Sequence, residues 1–209
     1  MAKQNNQKID LVVFGSSHVI PDHHLPHFLD VHFKNHPKFA KPITWGEGGA
    51  EINDEVVDFI KQKMTARAGT PTGYIFFLGS NNLRYNQQKP AKVTALFENI
   101  LIHGAQIEGC HMVLSSIIPT PKTDEISAEP FREATSQLRA LTNKYEDKAS
   151  FFNCAKFLVS QGAPIIEYFE IHDWLHLSEL GADLVAEMLK NHMENRKCFF
   201  KRNLKRKHT

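Results

Sequence analysis

Apolar residues in this chain gather into short unbroken runs separated by longer segments in which they recur every three or four positions. The runs Ile9 to Phe14, Tyr74 to Leu78 and His111 to Ile118 predict strands buried on both faces. Between them, Ile52, Val56, Phe59 and Ile60 form one stripe, and Val93, Leu96, Phe97, Ile100 and Leu101 form another. Stripes at this spacing predict helices with one face on a core, the second ending at Gly104 as its C-terminal cap. A third helix is expected from about Ala128 to Tyr145, with Phe131, Ala134, Leu138 and Leu141 inward and Pro130 tolerated in its first turn. The last helix should run from Ser178 to about Asn195.

Strand and helix alternating in this way predict the α/β class: a three-layer α/β/α domain on a mostly parallel sheet. Ligands of such sheets bind beyond the carboxyl ends of the strands. Three polar, glycine-bearing segments follow predicted strands: Gly15-Ser16-Ser17, Trp45-Gly46-Glu47-Gly48-Gly49 and Leu78-Gly79-Ser80-Asn81-Asn82. All three are therefore expected on one rim.

The 209 residues, 42% hydrophobic and 23% charged, suit one globular domain with its own core. We assign residues 1–195 to that domain and 196–209 to a basic tail. The net charge is only +2, but Arg196, Lys197, Lys201, Arg202, Lys205, Arg206 and Lys207 crowd the end of the chain. A solvated extension is the plain explanation of that tail; nuclear import or contact with nucleic-acid phosphates is the sharper one. Cys110, Cys154 and Cys198 are odd in number and form no CxxC pair, which argues against a disulfide framework or a zinc knuckle. With no segment of signal or membrane-span length, the expected compartment is cytoplasmic or nuclear, and the expected state is a monomer.

Asp173-Trp174-Leu175-His176 places a carboxylate and an imidazole one turn apart, just before the last helix. A serine hydroxyl becomes an effective nucleophile when a base takes its proton and a carboxylate fixes that base in the right tautomer. Ser17, His176 and Asp173 are the candidates for those roles. The oxyanion formed on attack needs donors, for which the N–H groups of Ser17 and Gly49 and the side chain of Asn81 are candidates.

Taken together and in this order, these blocks resemble the SGNH hydrolase superfamily, the GDSL-like lipases and esterases. Gly15-Ser16-Ser17 matches the family's Gly-Asp-Ser, Gly49 its second-block glycine, Gly79-Ser80-Asn81-Asn82 its Gly-x-Asn-Asp, and Asp173-Trp174-Leu175-His176 its Asp-x-x-His. The resemblance runs from Ile9 to about Leu189. It implies the SGNH (flavodoxin-like) fold with a five-stranded sheet, an acyl-enzyme on Ser17, an ester or thioester substrate, and chemistry that requires no metal or organic cofactor. Two positions depart from it: Ser16 and Asn82 replace aspartates that hold loops in the family. The second-block glycine could also be Gly48 or Gly46, and His18 is a further candidate beside the nucleophile. A rival within the same resemblance is a catalytically inactive, RNA-binding module of the kind found in the germ-plasm protein Oskar. Esterase domains carried by retrotransposons, which combine hydrolysis with nucleic-acid association, are a third type.

Each residue also has a plainer explanation. Ser17 alone reads as a helix N-cap and Asp173 as a capping aspartate, while Asn81-Asn82 alone read as turn residues. The glycine-rich segment at 46–49 lacks both the third glycine of a dinucleotide fingerprint and a P-loop lysine. His23/His27 and His32/His36 have helical metal-ligand spacing but no acidic partner in a known signature, so a solvated histidine-rich helix is expected there.

Overall fold

A computed structural model describes residues 8–121 and 129–195. Within them the chain runs β1 (Asp10–Gly15), α1 (His24–Phe33), β2 (Ile43–Gly46), α2 (Asp54–Thr65), β3 (Thr72–Phe77), α3 (Ser80–Arg84), α4 (Pro90–Gln106), β4 (Cys110–Ser115), α5 (Glu129–Lys144), β5 (Ala149–Phe152), α6 (Ala155–Leu158), β6 (Val159–Ser160), β7 (Ala163–Pro164) and α7 (Glu179–Glu194). Strands β1 to β5 form one sheet in the order β2-β1-β3-β4-β5, and every neighbouring pair is parallel. Strands β6 and β7 make a small antiparallel ladder of their own.

The strands are buried on both faces because alternate residues enter different cores. Val12, Phe14, Tyr74, Phe76, Met112 and Leu114 pack with Val57 and Ile60 of α2, Phe97 and Leu101 of α4, and Leu138 and Leu141 of α5. Leu11, Val13, Ile75, Phe77 and Val113 pack with Leu25, Leu29 and Phe33 of α1 and Val185 and Leu189 of α7. Two helical layers therefore enclose the sheet, each buried large side chain contributing roughly 1.5–3 kcal/mol.

The sequence expectations need three corrections. Strand β4 stops at Ser115, although the apolar run continues to Ile118. The Ser116 N–H donates to Phe152 O at 2.8 Å, and Ile117 and Ile118 are buried as loop residues. Gly104 does not cap α4, which continues to Gln106. A Cβ on Gly104 would lie 2.4 Å from Met112 Sδ and 2.6 Å from Met64 Cε, so this glycine permits close helix-to-sheet packing.

The third correction concerns the histidine-rich segment, which is solvated only in part: His27 is exposed, but His24, His32 and His36 are paired. His32 Nε2 pairs with Asp183 Oδ1 and His36 Nε2 with Glu194 Oε1, both at 2.7 Å, while His24 Nε2 meets Glu170 Oε1 at 2.8 Å. His36 Nδ1 accepts the N–H groups of Lys38 and Phe39, which places its proton on Nε2, facing Glu194. Acidic partners about 150 residues away thus tie α1 to α7 and to the loop before it. Among the described residues, no helix is long and apolar enough to cross a membrane.

Candidate active site

The path of the chain puts the site at a particular crevice. From β1 it passes to β2 on one side, then crosses to β3 on the other, so the loops after β1 and β3 diverge. A topological switch point of this kind leaves an opening at the strand ends. Ser17 begins a single 3-10 turn immediately beyond β1, and Asn81 lies in α3, just beyond β3.

The loop from Phe169 to Leu177 brings Asp173 and His176, the candidate acid and base, to the same place. Its ends are closed by the Glu170 N–H to His176 O bond at 2.9 Å and the Ser178 N–H to Tyr168 O bond at 3.0 Å. Helix α7 starts at Ser178, whose Oγ accepts the Gly181 N–H at 3.2 Å and donates to Glu167 O at 2.8 Å. Gly181 is required by this docking, since a Cβ there would lie 2.2 Å from Tyr168 O. Trp174 holds a left-handed φ of 53°, secured by its N–H to Glu170 O at 2.8 Å. Such strain concentrates where surrounding structure enforces a functional geometry.

Asp173 Oδ2 accepts His176 Nδ1–H at 2.5 Å, while Oδ1 accepts the N–H groups of Leu175 at 2.7 Å and His176 at 3.1 Å. Burial pushes this carboxyl up, but the hydrogen bonds from Leu175 and His176 outweigh it and bring it to about 2. It is a carboxylate across the neutral range. With the Nδ1 proton fixed on Asp173, Nε2 is left as the basic nitrogen of the neutral imidazole. His176 Nε2 is buried without a hydrogen-bond partner, so Ser17 Oγ is not bonded to it here. Catalytic hydrogen bonds are often long before substrate arrives.

Two more imidazoles surround His176. His23 stacks on His176 with ring centroids 4.0 Å apart and planes 20° apart, and His18 lies edge-on at 5.4 Å. Burial, with the charges of His176, His23 and Arg84, brings the His18 imidazole down to about 3. His23 is also lowered, first by burial and then by His176. The adjacency of His18 to Ser17 was legible in the sequence, whereas the position of His23 depends on how α1 docks.

The two departures from the family pattern differ in consequence. Asn82 Oδ1 accepts the Ile52 N–H at 2.9 Å and its Nδ2 donates to Ile52 O at 2.7 Å. The amide thus satisfies both main-chain groups, and the loop before α2 stays tied to α3. Ser16 Oγ is buried with no partner, so the turn after β1 has no equivalent tie. Asn81 Nδ2 donates to Ala50 O at 2.9 Å, which leaves its second amide hydrogen for another acceptor. Gly49, next to Ala50, has φ +73° in an exposed turn with open space around it, while Gly46 is pressed against the backbone of Val19 and Ile20. A cavity of about 160 Å3 lies alongside, lined by Gly15, Trp45, Phe59 and Leu78 among others.

Arg84 went unnoticed in the sequence. It lies three residues after Asn81 on α3 and is 7% exposed, donating through Nη2 to Thr120 Oγ1. The basic tail residues Arg196, Lys197, Lys201, Arg202, Lys205, Arg206 and Lys207 lie outside the described residues.

No family model and no curated protein matches the chain by sequence. Solved structures do match its fold. A member of the lipolytic G-D-S-L family from Veillonella parvula aligns over 90% of this chain and 100% of its own, with TM-score 0.70 at 15% identity. The lipase/acylhydrolase from Enterococcus faecalis covers 89% and 95%, with TM-score 0.69 at 14% identity. TesA covers 88% and 98%, with TM-score 0.68 at 12% identity. At these identities the likeness is one of fold, and it is nearly complete in both directions. The chain therefore has the three-layer α/β/α fold of the SGNH, or GDSL, lipolytic hydrolases.

Proposed function

We propose that this protein is a serine hydrolase that cleaves an ester or thioester through an acyl-enzyme on Ser17. The observation that carries the proposal is the Asp173 carboxylate, which orients His176 with one oxygen and secures the backbone of the same loop with the other. Ser17 Oγ attacks the substrate carbonyl carbon while His176 Nε2 takes its proton. Asp173 stabilises the imidazolium, and the N–H groups of Ser17 and Gly49 with Asn81 Nδ2 receive the oxyanion. Collapse expels the alcohol or thiol, to which His176 returns the proton, and water then releases the acid by the same route. The hydrolase structures that share the fold support this reading.

The test is labelling with a serine-reactive fluorophosphonate followed by peptide mapping. An adduct on Ser17, absent from Ser17→Ala, is expected; an adduct on Ser16, or none, overturns the proposal. A second reading, a catalytically inactive RNA-binding module on the same scaffold, draws on the unpaired Nε2 of His176 and the ring of His23 stacked on it. It predicts no adduct, together with RNA binding by residues 1–195 alone at near-physiological salt.

A further inference from the structure

Three buried side chains in and near the turn that carries Ser17 have polar atoms without hydrogen-bond partners: Ser16 Oγ, His18 Nδ1 and Arg84 Nε. Ser16 is 1%, His18 5% and Arg84 7% exposed. A guanidinium removed from water is strongly disfavoured unless it is paired. Among the described residues, Arg84 makes no ion pair; its partners are the neutral hydroxyl of Thr120 and the side chain of the neighbouring Tyr85. Burial disfavours the charged form of Arg84 by more than Tyr85 and Asp173 favour it, and both oxygens of the Asp173 carboxylate are already engaged by Leu175 and His176.

Position brings this charge toward the candidate site. Arg84 and Asn81, three apart on one helix, share a face, so the arginine accompanies the candidate oxyanion donor to the rim. Its charge also reaches His18, the residue after Ser17. The turn Gly15-Ser16-Ser17-His18-Val19 contains no acidic residue to neutralise it. The uncharged His18 and the Ser16 hydroxyl can each donate one hydrogen bond, and Arg84 is suited to a planar carboxylate or to phosphate.

We infer that the Arg84, His18 and Ser16 corner binds an anionic substituent of the substrate, so that the ester cleaved at Ser17 carries a carboxylate or phosphate group. This rests on the serine hydrolase reading and narrows its substrate class. Arg84 supplies the charge, and the two neighbours supply hydrogen bonds that neutral esters leave unmade.

The experiment compares kcat/KM for matched esters. 4-Nitrophenyl hemisuccinate against 4-nitrophenyl acetate puts the charge on the acyl side, and 4-acetoxybenzoate or 4-acetoxyphenyl phosphate against phenyl acetate puts it on the leaving group. Wild type is expected to favour an anionic member, and Arg84→Gln to lower the anionic-to-neutral ratio about tenfold, the scale of one charge-assisted hydrogen bond. Arg84→Lys should restore part of the ratio. Separately, succinate and inorganic phosphate are titrated against Ser17→Ala and the double variant Ser17→Ala/Arg84→Gln by thermal shift. Stabilisation of the first and not the second supports the anion site even if no ester is turned over, in which case only the hydrolase reading fails. If neutral esters are cleaved with no preference for charge and neither anion stabilises Ser17→Ala, the anion site is overturned and the hydrolase reading stands. An anionic-to-neutral ratio unchanged in both Arg84 variants also overturns it.

Discussion

At the residue scale, Asp173 combines two uses that a sequence reader would treat as alternatives. Its Oδ1 caps the turn and its Oδ2 aligns the imidazole, so the geometry of a capping aspartate and the geometry expected of an acid orienting a base are both met by one side chain. Asp173→Asn should keep much of the turn but disturb the His176 tautomer, and ester turnover is expected to fall by about 10⁴. His176→Ala should reduce it at least as far. Asn81→Ala should reduce it by about 10²–10³, the loss typical of one oxyanion donor. Steady-state kinetics on an activated ester checks all three, and equal small effects would place the chemistry elsewhere. Asn81 and His176 are residue types suited to this chemistry, and as candidates they were legible. Arg84 was not, because an arginine in a polar stretch has no sequence mark of burial.

At the element scale, two helical glycines contrast. In α7, a Cβ on Gly181 would meet main-chain Tyr168 O at 2.2 Å, whereas in α4 a Cβ on Gly104 would meet the ends of two methionine side chains. Backbone cannot yield as cheaply as a methionine tail. Gly181→Ala is therefore expected to destabilise the fold by about 1–3 kcal/mol and to displace the Asp173–His176 loop. For Gly104→Ala, methionine rearrangement and the helix preference for alanine, worth up to about 1 kcal/mol, should largely offset each other. Urea unfolding of the two variants decides this, and a Gly104→Ala loss equal to or larger than that of Gly181→Ala would refute it. The same contrast explains the misread end of α4: a glycine late in an apolar stripe resembles a cap until the sheet beneath it is seen.

At the scale of the whole molecule, acid should destabilise the fold through the site itself. His18 has an ordinary imidazole value of 6.5 when unfolded and about 3 when folded. Between these values the unfolded chain binds the proton and the folded one does not, so stability falls as pH drops from about 6.5 toward 3. The slope from one such group is about 1.4 kcal/mol per pH unit. Asp173, lowered from 3.8 to about 2, adds to the loss between those values, since its contribution is complete above 3.8. Unfolding midpoints at pH 7 and pH 5 should differ, and His18→Gln should remove much of that difference; an unchanged slope would show that His18 accepts a proton within the fold. For the tail, seven Lys/Arg predict sequence-independent nucleic-acid binding that weakens with salt, log K falling by about 0.9 per phosphate contacted on duplex DNA for each tenfold rise in salt. Gel shifts over a salt series with residues 196–209 deleted should show it lost; a truncated chain binding as well as the full one would assign the binding to the body.

By itself, the sequence determined the layered α/β class, the rim on which the glycine-bearing loops would meet and the Asp173–His176 pair. These follow from hydrophobic period and from contacts three residues apart, both of which are local. Tertiary structure alone decided that His24, His32 and His36 would find carboxylates on and before α7, that His23 would stack on His176 and that Arg84 would be buried. It also decided that Ser16 would be left without a partner while Asn82 tied its loop on both sides. Those outcomes depend on which elements dock across tens to more than a hundred residues of separation, and local periodicity carries no information about the partner that a polar side chain meets there.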